Sequence, residues 1–110
     1  MSKERIIKLN ECKEKIGDAI PDVMESFGKM YESVFQEGKL TAREKQLVAL
    51  GIVIAKQCPD CIVSNLNKAI EMGITFEEIM EVCGVSILMG GGPGVAYSCK
   101  IVETYEKLKK

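Results

Sequence analysis

Residues 41–61 read TAREKQLVALGIVIAKQCPDC, and the fold turns on how this stretch is read. Thr41 followed by Glu44 forms a capping box: the threonine hydroxyl takes a free N–H of the first turn and the glutamate returns the favour to the threonine N–H. Leu47, Leu50, Val53 and Ile54 then recur at helical steps, which predicts one helix of about four turns running up to a cysteine pair. Pro59 suits the first position of a new helix, where its missing N–H costs nothing, and Asp60 suits the positive end of that helix. Cys58 therefore sits near a helix cap and Cys61 within the first turn. Helical spacing of three puts the two side chains on one face, about 5–6 Å apart at Cβ, and a small rotation brings the sulfurs within bonding range. Closing so short a loop gains only about 2 kcal/mol in the chain-entropy view. A disulfide that opens and closes is a better account of the pair than a structural staple.

Working outward, Ile6, Leu9, Lys13, Ile16 and Ile20 mark an amphipathic helix that ends near Pro21. Val23, Met24, Phe27, Met30, Tyr31, Val34 and Phe35 form the clearest apolar stripe of the chain, with Gly38 placed to act as a left-handed C-terminal cap. Beyond the cysteines, Ile62, Leu66, Ala69 and Ile70 form a buried face that lasts until Gly73. A second capping box, Thr75 with Glu78, opens a helix through Ile79, Val82, Cys83, Ser86 and Ile87 to the run Gly90-Gly91-Gly92-Pro93-Gly94. Val95, Cys99, Val102, Tyr105 and Leu108 belong to the last helix. Sustained alternation of period two is absent. The expected fold is all-α: one compact bundle over residues 1–110, about six helices, with the CxxC pair at the N-terminus of a core helix.

Composition narrows the function. The chain has 110 residues, 46% hydrophobic and 5% aromatic, and that apolar surplus in so small a body points to subunit contacts. A net charge of −1 and a pI near 5.6 argue against a nucleic-acid partner. No run approaches the ~20 apolar residues of a membrane span, and Met1–Lys8 is charged where a secretory signal would be apolar, so a cytoplasmic protein with no membrane partner is expected. In a reducing compartment five cysteines, an odd number, are not a disulfide framework, which leaves catalytic, redox-sensing or metal-binding roles for the close pair. The chain contains no histidine, so Ser-His-Asp and Cys-His nucleophile systems are excluded, as are histidine-ligated metal centres. Zinc or an iron-sulfur cluster would have to recruit Cys83 and Cys99 from separate helices, and no cofactor or metal is expected. Cys12, Cys83 and Cys99 read as small buried hydrophobes. The glycine run lacks the Gly-Lys-Ser/Thr ending of a phosphate loop, and Glu77 and Glu78 read as carboxylates at a helix start.

Taken in order, the helix LTAREKQLVALGIVIAKQ, the CPDC pair, the Gly73-Ile74-Thr75 turn with its acidic helix start and the Met89-Gly90-Gly91-Gly92-Pro93 loop resemble the carboxymuconolactone decarboxylase superfamily, specifically its alkylhydroperoxidase D-like branch, over residues 30 to 105. The resemblance implies an all-helical fold, homo-oligomers that are commonly trimers or hexamers, and reduction of peroxides through the dithiol. It casts Cys61 as the peroxidatic thiol and Cys58 as the resolving one, with a thiol reductant or redox partner protein restoring the pair. The family's proton relay uses a glutamate twelve residues before the first cysteine and a histidine four residues after the second; Gln46 and Asn65 hold those positions here. Neither amide accepts a proton at neutral pH as glutamate or histidine would. The expected function is a thiol-dependent oxidoreductase acting on a peroxide or a partner's disulfide, with Asn65 donating a hydrogen bond to the Cys61 sulfur. A cofactor-free lactone-acid decarboxylase and an oligomeric scaffold are the alternatives.

Overall fold

The computed structural model describes residues 3–109. Six helices follow one another: α1 (Lys3–Ala19), α2 (Pro21–Val34), α3 (Ala42–Lys56), α4 (Pro59–Glu71), α5 (Phe76–Gly90) and α6 (Gly92–Leu108). Among the described residues there is no strand, so the all-α expectation holds. Both capping boxes form. The Glu44 and Glu78 N–H groups donate to Thr41 and Thr75 Oγ1 at 3.0 and 3.2 Å, and the two threonine N–H groups donate back to the glutamates at 2.8 and 2.9 Å.

Two helix ends depart from the reading of the sequence. α2 stops at Val34, and Gly38 is not left-handed. The Lys45 ammonium does the work assigned to that glycine by donating to the carbonyls of Val34 at 2.8 Å and Gln36 at 2.6 Å, since a cation at a helix C-terminus satisfies the free carbonyls as well as a turn does. α3 ends on Gln57 with φ 56°, a left-handed residue that is not glycine, and this sharp turn delivers the chain to Cys58. Gly73 and Gly91 do take positive φ, 80° and 67°, and Gly91 both closes α5 and opens α6.

The core lies among α3, α4, α5 and α6, with α3 packed on α4 and α5, and α6 packed on α5 and α4. Leu50 and Ile54 of α3, Ile79 of α5 and Ile101 of α6 are buried around Ile62, Val63, Leu66 and Ala69 of α4. Each large apolar side chain removed from water this way contributes about 1.5–3 kcal/mol. Arg43 of α3 pairs with Glu78 of α5; that guanidinium, helped by the Thr75 N–H, holds the Glu78 carboxyl at about 2, below the usual carboxylate range.

The first two helices are different, because neither buries a single side chain. α2 has its principal contact with α1, and α1 in turn touches α4. The stripe that reads as the clearest amphipathic face in the chain is therefore open: Val23, Phe27, Met30 and Val34 are each more than half exposed. A radius of gyration of 14.6 Å, against ~13 Å for a compact chain of this length, reflects this protruding hairpin. Two cysteines also correct the sequence reading. Cys83 is buried, and burial pushes its thiol up, but Cys12 and Cys99 are exposed because their helices are covered on other faces.

The turn between α5 and α6 depends on one close approach. A Cβ on Gly94 would lie 2.8 Å from the Ser86 carbonyl oxygen and 2.9 Å from Ile87 Cα, both backbone atoms that cannot swing aside. Gly94→Ala is expected to lower stability by about 1–3 kcal/mol, the usual cost of overpacking, read as a fall in denaturant midpoint at unchanged slope; an unchanged midpoint would show that α5 and α6 can part without cost.

Candidate functional site

Cys58 is the N-cap residue of α4. Its carbonyl accepts the Ile62 N–H at 2.9 Å, and its sulfur accepts the Cys61 N–H at 3.3 Å. A cap is usually oxygen; here sulfur takes that place, at the positive end of the helix. The two Cα atoms lie 5.3 Å apart, within disulfide range, and the sulfurs are paired as a Cys58–Cys61 disulfide. Cys58 is half-buried and Cys61 exposed. The pair thus stands at the solvent-facing tip of the helix that supplies the centre of the core.

Gln46 and Asn65 join it. Gln46 is fully buried in α3, and its Nε2 reaches across to α4, donating to Asn65 Oδ1 at 3.2 Å and to the Asn65 carbonyl at 3.3 Å. Asn65 Nδ2 donates in turn to the Cys61 carbonyl at 2.8 Å. All four residues singled out in the sequence therefore converge. The expected bond from Asn65 to the Cys61 sulfur is replaced by one to the Cys61 carbonyl, because a side chain four residues on lies directly over that oxygen. The chain of amides points its donors one way, from α3 towards Cys61. It orients the first turn of α4 but carries no group that titrates near neutral pH. Gln46 Oε1 is buried with no hydrogen-bond partner, the one side-chain atom in this array left unsatisfied.

Arg5 was not legible as part of the site. From the first turns of α1 it holds Asp60, the residue between Pro59 and Cys61, through Nε to Oδ1 at 2.8 Å and Nη2 to Oδ2 at 2.7 Å. The contact spans 55 residues of sequence, and no local pattern signals it. On another side of α4, Pro59 and Ile62 wall a cavity of about 210 Å³ whose far wall is Lys100, Glu103, Thr104 and Lys107 of α6. Among the described residues no three Cys, Asp or Glu side chains group as a metal ligand set, and no helix is long and apolar enough to cross a membrane.

Comparison with known proteins agrees with this geometry. The profile of the carboxymuconolactone decarboxylase family matches residues 21–104. An uncharacterized protein of Cupriavidus necator is 32% identical over 106 residues, covering 96% of this chain and 94% of its own. A protein of the cox locus of Paracoccus denitrificans, also uncharacterized, is 32% identical over 94 residues, covering 86% of this chain and 82% of its own. Among solved structures, a carboxymuconolactone decarboxylase family protein from Legionella pneumophila, in its apo form, superposes with a TM-score of 0.92 at 28% identity, covering 98% of this chain and 96% of that one. A Thermotoga maritima protein gives 0.86 at 25% identity, with 97% and 94% covered.

The burial of Gln46 makes the site testable by charge. Gln46→Glu alone places a carboxylate among acceptors with no donor assured, and is expected to cost about 2–4 kcal/mol. Adding Asn65→His supplies an N–H opposite the new carboxylate and should recover most of the loss. Denaturant melts of the single and double variants give the comparison; equal stability of wild type and Gln46→Glu would mean that water reaches this position.

Proposed function

Because the chain belongs to the carboxymuconolactone decarboxylase family, we propose that it is a thiol-dependent oxidoreductase of the alkylhydroperoxidase D-like kind, cycling Cys58 and Cys61 between dithiol and disulfide. The observation that carries this reading is the CxxC pair at the exposed tip of a buried helix, with sulfur as the helix cap. In the peroxide reaction the Cys61 thiolate attacks the distal oxygen of a hydroperoxide. The O–O bond breaks, alkoxide leaves and takes a proton, and Cys61 becomes a sulfenic acid. Cys58, held as an anion by the Cys61 N–H, attacks that sulfur and expels hydroxide, which leaves as water. An external dithiol or a redox partner protein then returns two electrons by thiol-disulfide exchange.

The amide relay sets the balance between substrates. Peroxide cleavage gains from a proton delivered to the leaving oxygen, whereas exchange with a disulfide needs only a thiolate and access. Gln46 and Asn65 orient but do not transfer protons, so disulfide exchange is the faster reaction of the two. The same amides argue against the namesake decarboxylation, which needs a positioned acid and base.

A homo-oligomer, trimer or hexamer, goes with this reading. Its support is the open stripe of α2 together with a second apolar surface, a groove of about 410 Å³ between α3 and α5 walled by Val48, Ile52, Val82, Val85 and Met89. Exposed apolar surface on two separate faces is what copies of one chain cover in each other.

Two measurements test the proposal. Peroxide consumption with dithiothreitol as reductant should be weak in wild type, abolished in Cys61→Ser, and raised about tenfold or more by Asn65→His with Gln46→Glu, less than the ~100-fold and upward that a fully positioned acid-base group supplies; no gain in that double variant would refute the relay argument. Sedimentation should find wild type as a trimer or hexamer and Phe27→Glu as smaller species; a monomeric wild type would remove the oligomer from the reading.

A further inference from the structure

We propose that Arg5 controls the ionisation of the Cys58–Cys61 pair by neutralising Asp60, the carboxylate that the CPDC sequence lodges between the two thiols. The inference rests on the redox reading above and names the electrostatic control of that site. Asp60 lies in the first turn of α4, where the helix end favours one negative charge. A thiolate needs the same field. Left alone, the carboxylate would disfavour thiolate formation on either neighbour by like-charge repulsion.

Arg5 removes the conflict. It occupies both carboxylate oxygens in a two-pronged contact, 2.8 and 2.7 Å, and a guanidinium stays charged at any pH the protein meets. Both side chains remain more than two-fifths exposed, and an exposed ion pair adds little to stability. Its main consequence is therefore local: the field that Cys58 and Cys61 feel. α1 brings Arg5 to this place through Ile6 and Leu9, which pack partly buried against the core. The direction of both ionisations agrees, with Arg5 raised and Asp60 lowered, each chiefly by the hydrogen bonds to the other.

Other charged and titratable groups lie on the elements around the start of α4, Lys3, Glu4 and Lys8 of α1 among them, within a turn of Arg5. Cys12 lies on α1 near enough to Arg5 to interact with it. Lys56 occupies the last turn of α3. Lys100, Glu103 and Lys107 of α6 stand across the cavity from Pro59 and Ile62. Arg5 is the cation seated on Asp60 itself.

The test uses the full chain, reduced, in a Cys12→Ser, Cys99→Ser background so that exposed thiols outside the pair do not report. The rate of alkylation by iodoacetamide, a neutral reagent, is followed from about pH 5 to 9, a range that spans tuned thiols. Arg5→Gln should move the midpoint up by about 0.5–1 pH unit, the effect of one unpaired, partly solvated charge. At neutral pH the rate should fall about two- to fourfold, since the remaining thiolate is intrinsically more nucleophilic. Asp60→Asn alone should leave the midpoint at or below that of the parent, and the Arg5→Gln, Asp60→Asn double variant should match Asp60→Asn. A midpoint unmoved by Arg5→Gln overturns the inference. So does an upward shift that persists in the double variant, because Arg5 would then act by docking α1 and not through the carboxylate. Failure of the reduced parent to alkylate without denaturant would instead sink the redox reading itself, and the inference with it.

Discussion

A helix that forms the middle of a core must still begin somewhere, and its first N–H groups must find partners other than its own carbonyls. α4 meets that requirement with sulfur. The Cys61 N–H is given to Cys58 Sγ, so a sulfur of the reactive pair also caps the buried helix. Behind it stand Ile62, Val63, Leu66 and Ala69, fully or almost fully buried, which fix the position of α4. Ahead of it is solvent. The thiols are thus held on a rigid element while remaining reachable, and everything proposed about the chemistry assumes that combination.

Charge around this helix start is arranged by elements remote in sequence. Asp60 lies in the first turn of α4, and Arg5, 55 residues away in sequence, holds both of its carboxylate oxygens. This gives α1 a role that its lack of buried side chains would not suggest. α2, which rests chiefly on α1, instead presents its apolar stripe to the outside. The protein therefore divides into a packed four-helix body that holds the cysteine pair and a peripheral hairpin, one helix of which reaches Asp60 through Arg5 while the other keeps its apolar stripe exposed.

Inside the body, a path of hydrogen bonds made of amides runs from Gln46 through Asn65 to the Cys61 carbonyl. An amide donates and accepts hydrogen bonds but takes up no proton near neutral pH. Gln46 Oε1 is buried without a partner, so this amide uses only its donor side in the path.

Much of this was legible in the chain. The two capping boxes, the helical recurrence of Leu50 and Ile54, the Pro59 start and the positive-φ Gly73 are local matters, decided within a few residues, and they placed the starts of α3, α4 and α5 and the cysteine pair. Gln46 and Asn65 were found through spacing against a known pattern. What failed was local inference about distant partners: Gly38 gave way to Lys45 as the end of α2, Cys12 and Cys99 proved exposed, and Asn65 chose a carbonyl over a sulfur. Sequence alone determined where helices begin and which thiols can pair, since capping and helical periodicity act over one or two turns. Only the tertiary structure decided which apolar stripe stays open and that Arg5 meets Asp60, because those outcomes depend on how whole helices dock and no pattern of neighbours along the chain encodes them.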